Sequence, residues 1–150
     1  MTGMKQYKFG LDSPSFVLFL LIMMPNFIWF AIPAPNDVLR TASSSAVLDI
    51  LSSICQVLMV AALCLLVNRE RERLRPTPLV VSAGACCLLY FVSWAVYYAG
   101  IVNAPVILGL TLLPCGAFLL FAVDRRNMIA AVFASLFTLL HFVHGIMVLI

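Results

Sequence analysis

The chain has 150 residues, of which 64% are hydrophobic and 10% charged, and its mean hydropathy is +1.12. Soluble domains carry about 25% charged and about 45–50% apolar residues. A soluble globule, a disordered chain and a nucleic-acid-binding domain are therefore all disfavoured. Nine basic residues against six acidic ones leave a net charge of +3, and the placement of those charges says more than their sum.

Crossing about 30 Å of hydrocarbon takes roughly 20 apolar residues as a helix. Five runs are long enough, at about 14–32, 46–67, 79–101, 105–123 and 128–150. They lack the period-2 alternation of a membrane β-barrel, the other architecture that satisfies the backbone in lipid. The expected fold is an all-α integral membrane protein, one five-helix domain spanning 1–150. Short junctions with turn chemistry separate the runs: Pro33-Ala34-Pro35-Asn36-Asp37, the charged stretch from Asn68 to Pro78, Asn103-Ala104-Pro105, and Asp124-Arg125-Arg126-Asn127.

Lys5 and Lys8 precede the first run. Arg69, Arg71, Arg73 and Arg75 lie between the second and third, and Arg125 and Arg126 between the fourth and fifth. Eight of nine basic residues thus fall in alternate loops, with Arg40 on the opposite side. The positive-inside rule then predicts a cytoplasmic amino terminus and an outside carboxy terminus, as in a multi-pass protein of a bacterial inner or plasma membrane. The first run exceeds the 7–15 apolar residues of a signal peptide and lacks a small-x-small cleavage site, so it reads as a retained helix. Met147 to Ile150 are still apolar, so the sequence is expected to stop inside or at the end of its last helix. Five spans cannot divide into equal inverted halves, as transporters built from inverted repeats do.

In the first run, Pro25 frees the carbonyl of Leu21, and Asn26 and Trp29 follow in its outer half. The second carries Asp49, Ser52, Ser53 and Gln56 at i, i+3, i+4 and i+7, a stripe about 100° wide. Asp49 alone fits a first-turn carboxylate favoured by the helix dipole, with a serine of the Ser43–Ser45 run as cap. Gln56 lies too deep for that explanation. Tyr90, Trp94 and Tyr97 share one face of the third run; for Trp94, Tyr97 and Tyr98 an interfacial aromatic belt is the simpler reading, whereas Tyr90 should sit nearer mid-depth. Pro114 frees the carbonyl of Leu110 in the fourth. In the fifth, His141 and His144 share a face, roughly 20–24 Å from the run's start. Interhelical hydrogen bonding, ligand binding, proton transfer, and metal or haem ligation are the uses open to them. Asp49 could supply a further metal ligand.

These polar and aromatic residues fall in the middle-to-outer half. The inner half is instead rich in Ala, Gly, Ser and Cys, which let helices pack closely. We therefore expect a bundle closed toward the cytoplasm, with an outward cup lined by Asn26, Trp29, Asp49, Gln56, Tyr90, Trp94, Tyr97, His141 and His144. Such a cup suits a small amphipathic or aromatic ligand, bound or transported. A homodimer could complete a pathway. Two readings from other classes stand beside it. One is a membrane redox protein holding metal or haem at His141 and His144; the other is an accessory subunit of a membrane complex. No cofactor is required by the sequence, and no metalloprotease, thiol-redox or serine-hydrolase motif is present.

Cys55, Cys64, Cys86, Cys87 and Cys115 all fall within spans, are odd in number and form no C-x-x-C, so they read as small packing residues. The Arg69 to Arg75 run alternates sign, and a loop resting on anionic headgroups explains it better than nucleic acid does. Length and span count are those of the small tryptophan-rich five-helix translocators. Two tryptophans, Trp29 and Trp94, are too few for that family, so the likeness stops at architecture.

Overall fold

The computed structural model describes residues 3–42 and 45–150. Among these, five helices are long and apolar enough to cross a membrane: α1 (Ser13–Ala31), α3 (Ala46–Leu65), α4 (Pro78–Tyr98), α5 (Ala104–Asp124) and α6 (Met128–Leu149). The arrangement fits an all-α, multi-pass membrane protein. Four further elements are short: a 3-10 turn at Met4–Gln6, a helix α2 (Val38–Thr41) and two strands, β1 (Tyr7–Phe9) and β2 (Leu66–Asn68).

Helix α5 is the centre of the bundle. Of its apolar window, 56% is buried, against 17–22% for the other four helices. The outer helices turn Leu and Val side chains such as Val57, Leu88 and Leu139 outward, the surface expected of helices in lipid.

Local chemistry sets the helix starts. Pro14, Pro78 and Pro105 occupy first-turn positions, where a missing N–H costs nothing. The side chains of Thr77, Asn103 and Asn127 accept from the backbone N–H of Val80, Val106 and Ala130 at 3.0–3.2 Å. Ser45 stands at the N-cap of α3 without such a bond, and Ser43 and Ser44 lie outside the described residues.

Two span ends differ from the hydropathy reading. Helix α3 stops at Leu65, not Val67, because Leu66, Val67 and Asn68 pair antiparallel with Phe9, Lys8 and Tyr7. Apolar residues suit a strand as well as a helix, so the run carried no mark of the change. Helix α4 stops at Tyr98 rather than near Ile101. Gly100 takes φ +85, and its N–H reaches the Tyr97 carbonyl at 3.0 Å, a left-handed helix stop that glycine accepts without strain.

The basic segments meet at one end of the bundle. The terminal carbonyls of α3 have no donors within the helix. Cys64 O and Leu65 O accept from the N–H groups of Asp12 (2.8 Å) and Gly10 (3.0 Å), while Asn127 Nδ2 donates to Ala62 O (2.8 Å) and Leu66 O (2.9 Å). Beside them, Asp12 and Arg125 form a buried ion pair, each residue 4% exposed. Ser15 donates to the same carboxylate, and Arg125 also reaches the Glu72 carbonyl at 3.1 Å. Thr77 bonds Asp124 across the next junction. Small residues fill the adjacent packing: Ala62, Cys64, Ala83, Cys115, Ala117, Ala130, Ala131 and Ala134 are all buried. All five cysteines are free thiols within helices.

Candidate functional site

Toward the opposite end, the five long helices part around a cavity of about 290 Å³. Seven of the nine candidate residues line it: Asn26 and Trp29 from α1, Gln56 from α3, Tyr90 and Trp94 from α4, and His141 and His144 from α6. Thr111, Leu110 and Pro114 of α5 and Leu39 of α2 complete much of the rest. The lining holds two imidazoles, a phenol and two carboxamides, but no carboxylate, lysine or arginine.

Helix geometry explains which residues arrive. On α4, Tyr90, Trp94 and Tyr97 form the buried inward face, 2%, 6% and 0% exposed, which is not where a lipid-facing aromatic belt would lie. Tyr98, beside them, donates to the Ile32 carbonyl at 2.6 Å. On α3 the polar stripe straddles an edge of the bundle. Ser52 and Gln56, at one side of the stripe, are half-buried; Asp49 and Ser53, at the other, are exposed. Asp49 therefore does not line the cavity. Its place is the first turn of α3, with its backbone N–H on the Ser45 carbonyl at 3.0 Å.

Asn26 donates to the Tyr90 hydroxyl (2.9 Å) and to the Ile22 carbonyl (3.2 Å), joining α1 to α4. The rings of Trp29 and Trp94 lie 6.1 Å apart, and Tyr90 meets Trp94 edge-on at 6.3 Å. His141 Nδ1 lies 3.5 Å from Ser52 Oγ on α3, and its ring stacks 4.5 Å from Phe137 and 6.1 Å from His144. Helix α6 comes close to α5 here because residue 145 is glycine: a Cβ there would stand 2.9 Å from Thr111 Oγ1.

Two polar groups at this site stand outside the helical i to i+4 ladder. Trp94 Nε1 is buried with no well-formed hydrogen bond among the described residues, the Tyr90 hydroxyl being a nearby acceptor. Pro114 supplies no N–H to the carbonyl of Leu110, and both residues line the cavity. One is a donor and the other an acceptor.

Tyr97 has a different place from its neighbours on the face. It does not line the cavity, and its hydroxyl donates to Asp37 Oδ1 at 2.9 Å and accepts from Leu39 N at 3.2 Å. Sequence reasoning passed over Asp37, which sits in a Pro/Asn turn. Trp29 Nε1 donates to both its carboxylate oxygens (2.9 and 3.1 Å), the Ala34 N–H reaches it at 3.3 Å, and Arg40 Nε pairs with it at 3.0 Å. The Arg40 guanidinium also lies 4.8 Å over the Trp29 ring. Asp37 thereby fixes the 34–40 segment, and Leu39 with it, against the cavity's end. Its signal was weak but present, an acid two residues after Pro35 and three before Arg40, the basic residue set apart from the other eight.

Among the described residues no three His, Cys, Asp or Glu side chains are grouped to hold a metal ion. His141 and His144 stand as an imidazole pair, with Ser52 beside His141. Comparison with family models, curated proteins and solved structures finds no match for this chain.

Proposed function

We propose that this chain is a multi-pass membrane protein that binds, and in a membrane carries, a small neutral amphipathic or aromatic molecule in the cavity between its helices. The amino terminus is cytoplasmic, and the cavity lies in the outer half of the bilayer. The supporting observation is the convergence of donors and acceptors from five helices on one mainly apolar space, with the buried Trp94 N–H without a well-formed hydrogen bond beside it. A buried unmade hydrogen bond costs about 1–3 kcal/mol, so a ligand acceptor that satisfies it gains affinity and orientation together. A lining without fixed charge favours a neutral ligand, because an ion would lose its hydration without a counter-charge.

Binding, rather than acid–base chemistry, suits a site from which Asp49 is absent. A second reading, metal or haem held at His141 and His144, draws on two imidazoles facing one cavity. Thermal unfolding of the purified protein separates the two, with indole, 1-naphthol and Zn²⁺ as probes. Binding to the native state at a hundredfold excess over Kd stabilises by about 2.7 kcal/mol. Indole or naphthol is expected to raise the Tm of the wild type, and Gln56→Phe, which fills the cavity, is expected to abolish the rise. A rise with Zn²⁺ that is lost in His141→Ala, or absorbance in the haem Soret region, moves the assignment to the metal reading. Equal responses of the wild type and Gln56→Phe to the aromatics refute the cavity as their site.

A further inference from the structure

The run from Arg69 to Arg75 looks half-neutralised in sequence, but its two acids are engaged elsewhere. Glu70 pairs with Arg126 Nη1 at 2.7 Å, and Glu72 with Lys8 Nζ at 2.7 Å. Among the described residues Arg69, Arg71, Arg73 and Arg75 have no carboxylate within ion-pair distance. Arg73 and Arg75 are exposed and flank Leu74, itself 50% exposed.

Leu74 lines the mouth of a second hollow, an apolar groove of about 900 Å³ between the amino-terminal halves of α1 and α4. Pro14, Val17 and Leu21 form one wall, Val81 and Leu88 the other, and buried Phe121 of α5 lies at its floor. Gly84 borders its open space, where a Cβ would meet nothing within 4 Å. From Val80 to Phe91 the groove runs about 16 Å along α4, close to half of the roughly 30 Å hydrocarbon thickness. It is therefore one leaflet deep, with unpaired cations at its headgroup end.

We infer that this groove is a binding site for an anionic phospholipid, with an acyl chain against Gly84 and the phosphate on Arg73 and Arg75. A second copy of the chain fits the face poorly. Two-fold packing about the membrane normal would bring the same arginines together from both subunits. Neutral lipids fill the groove but leave the guanidinium groups without a counter-charge. This site is separate from the central cavity, and the assignment stands whether or not that cavity binds a ligand.

The test is native mass spectrometry of the full-length protein released from micelles doped equally with phosphatidylglycerol and phosphatidylcholine of matched chains. The wild type is expected to retain phosphatidylglycerol about tenfold better, the preference that two interfacial arginines supply. Arg73→Gln/Arg75→Gln brings the two lipids to near parity. Gly84→Leu, an exposed substitution on the groove wall, lowers retention of both while keeping the preference. Equal retention by the wild type overturns the assignment, and so does a preference that survives Arg73→Gln/Arg75→Gln. A preference lost instead in Arg69→Gln/Arg71→Gln also refutes it, since diffuse loop charge would then be the cause.

Discussion

Two carboxylates bracket α1, and they are used in opposite ways. Asp12, just before the helix, is buried against Arg125 and Ser15, and its own N–H closes the end of α3. Asp37, just after the helix, is held mainly by neutral donors, Trp29 and Tyr97, with Arg40 on its exposed side. The first joins three distant segments into one packed end. The second ties a short surface segment to a residue that lines the cavity. The bundle is thus closed at one end by a buried charge pair, while at the other a carboxylate held by aromatic hydrogen bonds ties a short segment to the cavity.

Substitutions can break that contrast. The largest effect is expected from Asp12→Ala, which leaves Arg125 buried without its partner and lowers stability by about 3–5 kcal/mol. Arg125→Met added to it should restore much of the loss, because removing both charges also removes the desolvation penalty. Equilibrium unfolding in mixed micelles reads both. Asp37→Asn keeps the shape and one acceptor oxygen but loses the charge, for an expected loss of about 1–3 kcal/mol. Faster amide exchange should follow within 34–42 while α4 and α5 stay protected; a loss spread evenly over the bundle would erase the distinction between the two ends.

Trp94→Phe is expected to change stability by less than about 1.5 kcal/mol, since lost ring packing is offset by relief of a buried N–H without a well-formed hydrogen bond. Ligand binding should weaken more than stability does, which a paired thermal and binding titration detects. The smallest effect concerns Glu72. Its hydrogen bond to Lys8, followed by the Lys8 charge, holds its carboxyl below the ordinary 4.5. A carboxyl lowered on folding adds stability above its unfolded value and loses it as pH falls through the folded one. A slight acid-side loss beginning near pH 4.5 is therefore expected, and Lys8→Gln should remove it.

The five long helices were legible because each is set by a continuous apolar run, a property of neighbours in sequence. So was much of the cavity: a shared helix face brings Tyr90 and Trp94 inward, and His141 and His144 follow from a spacing of three. What escaped depends on partners far along the chain. Asp12 looks like an unremarkable polar residue before a helix, and its meeting with Arg125 spans 113 positions. The ribbon of β1 and β2 was hidden because Leu66 and Val67 suit either secondary structure. Asp49 and Gln56 share a stripe, yet the bundle's edge passes between them, and a single helix cannot reveal where its neighbours stop. Tyr97 keeps the expected face but lies one turn past Trp94, where the segment fixed by Asp37 covers it.

Trp29 and Trp94 are the chain's two tryptophans, and both line the cavity. Intrinsic fluorescence therefore reports on the site without a label. Titration with 1-nitronaphthalene, an aromatic quencher bearing acceptor oxygens, should give saturable quenching of the wild type and a weak, non-saturating response in Gln56→Phe. Non-saturating quenching of the wild type, or the same curve for both proteins, would contradict a ligand site at this cavity.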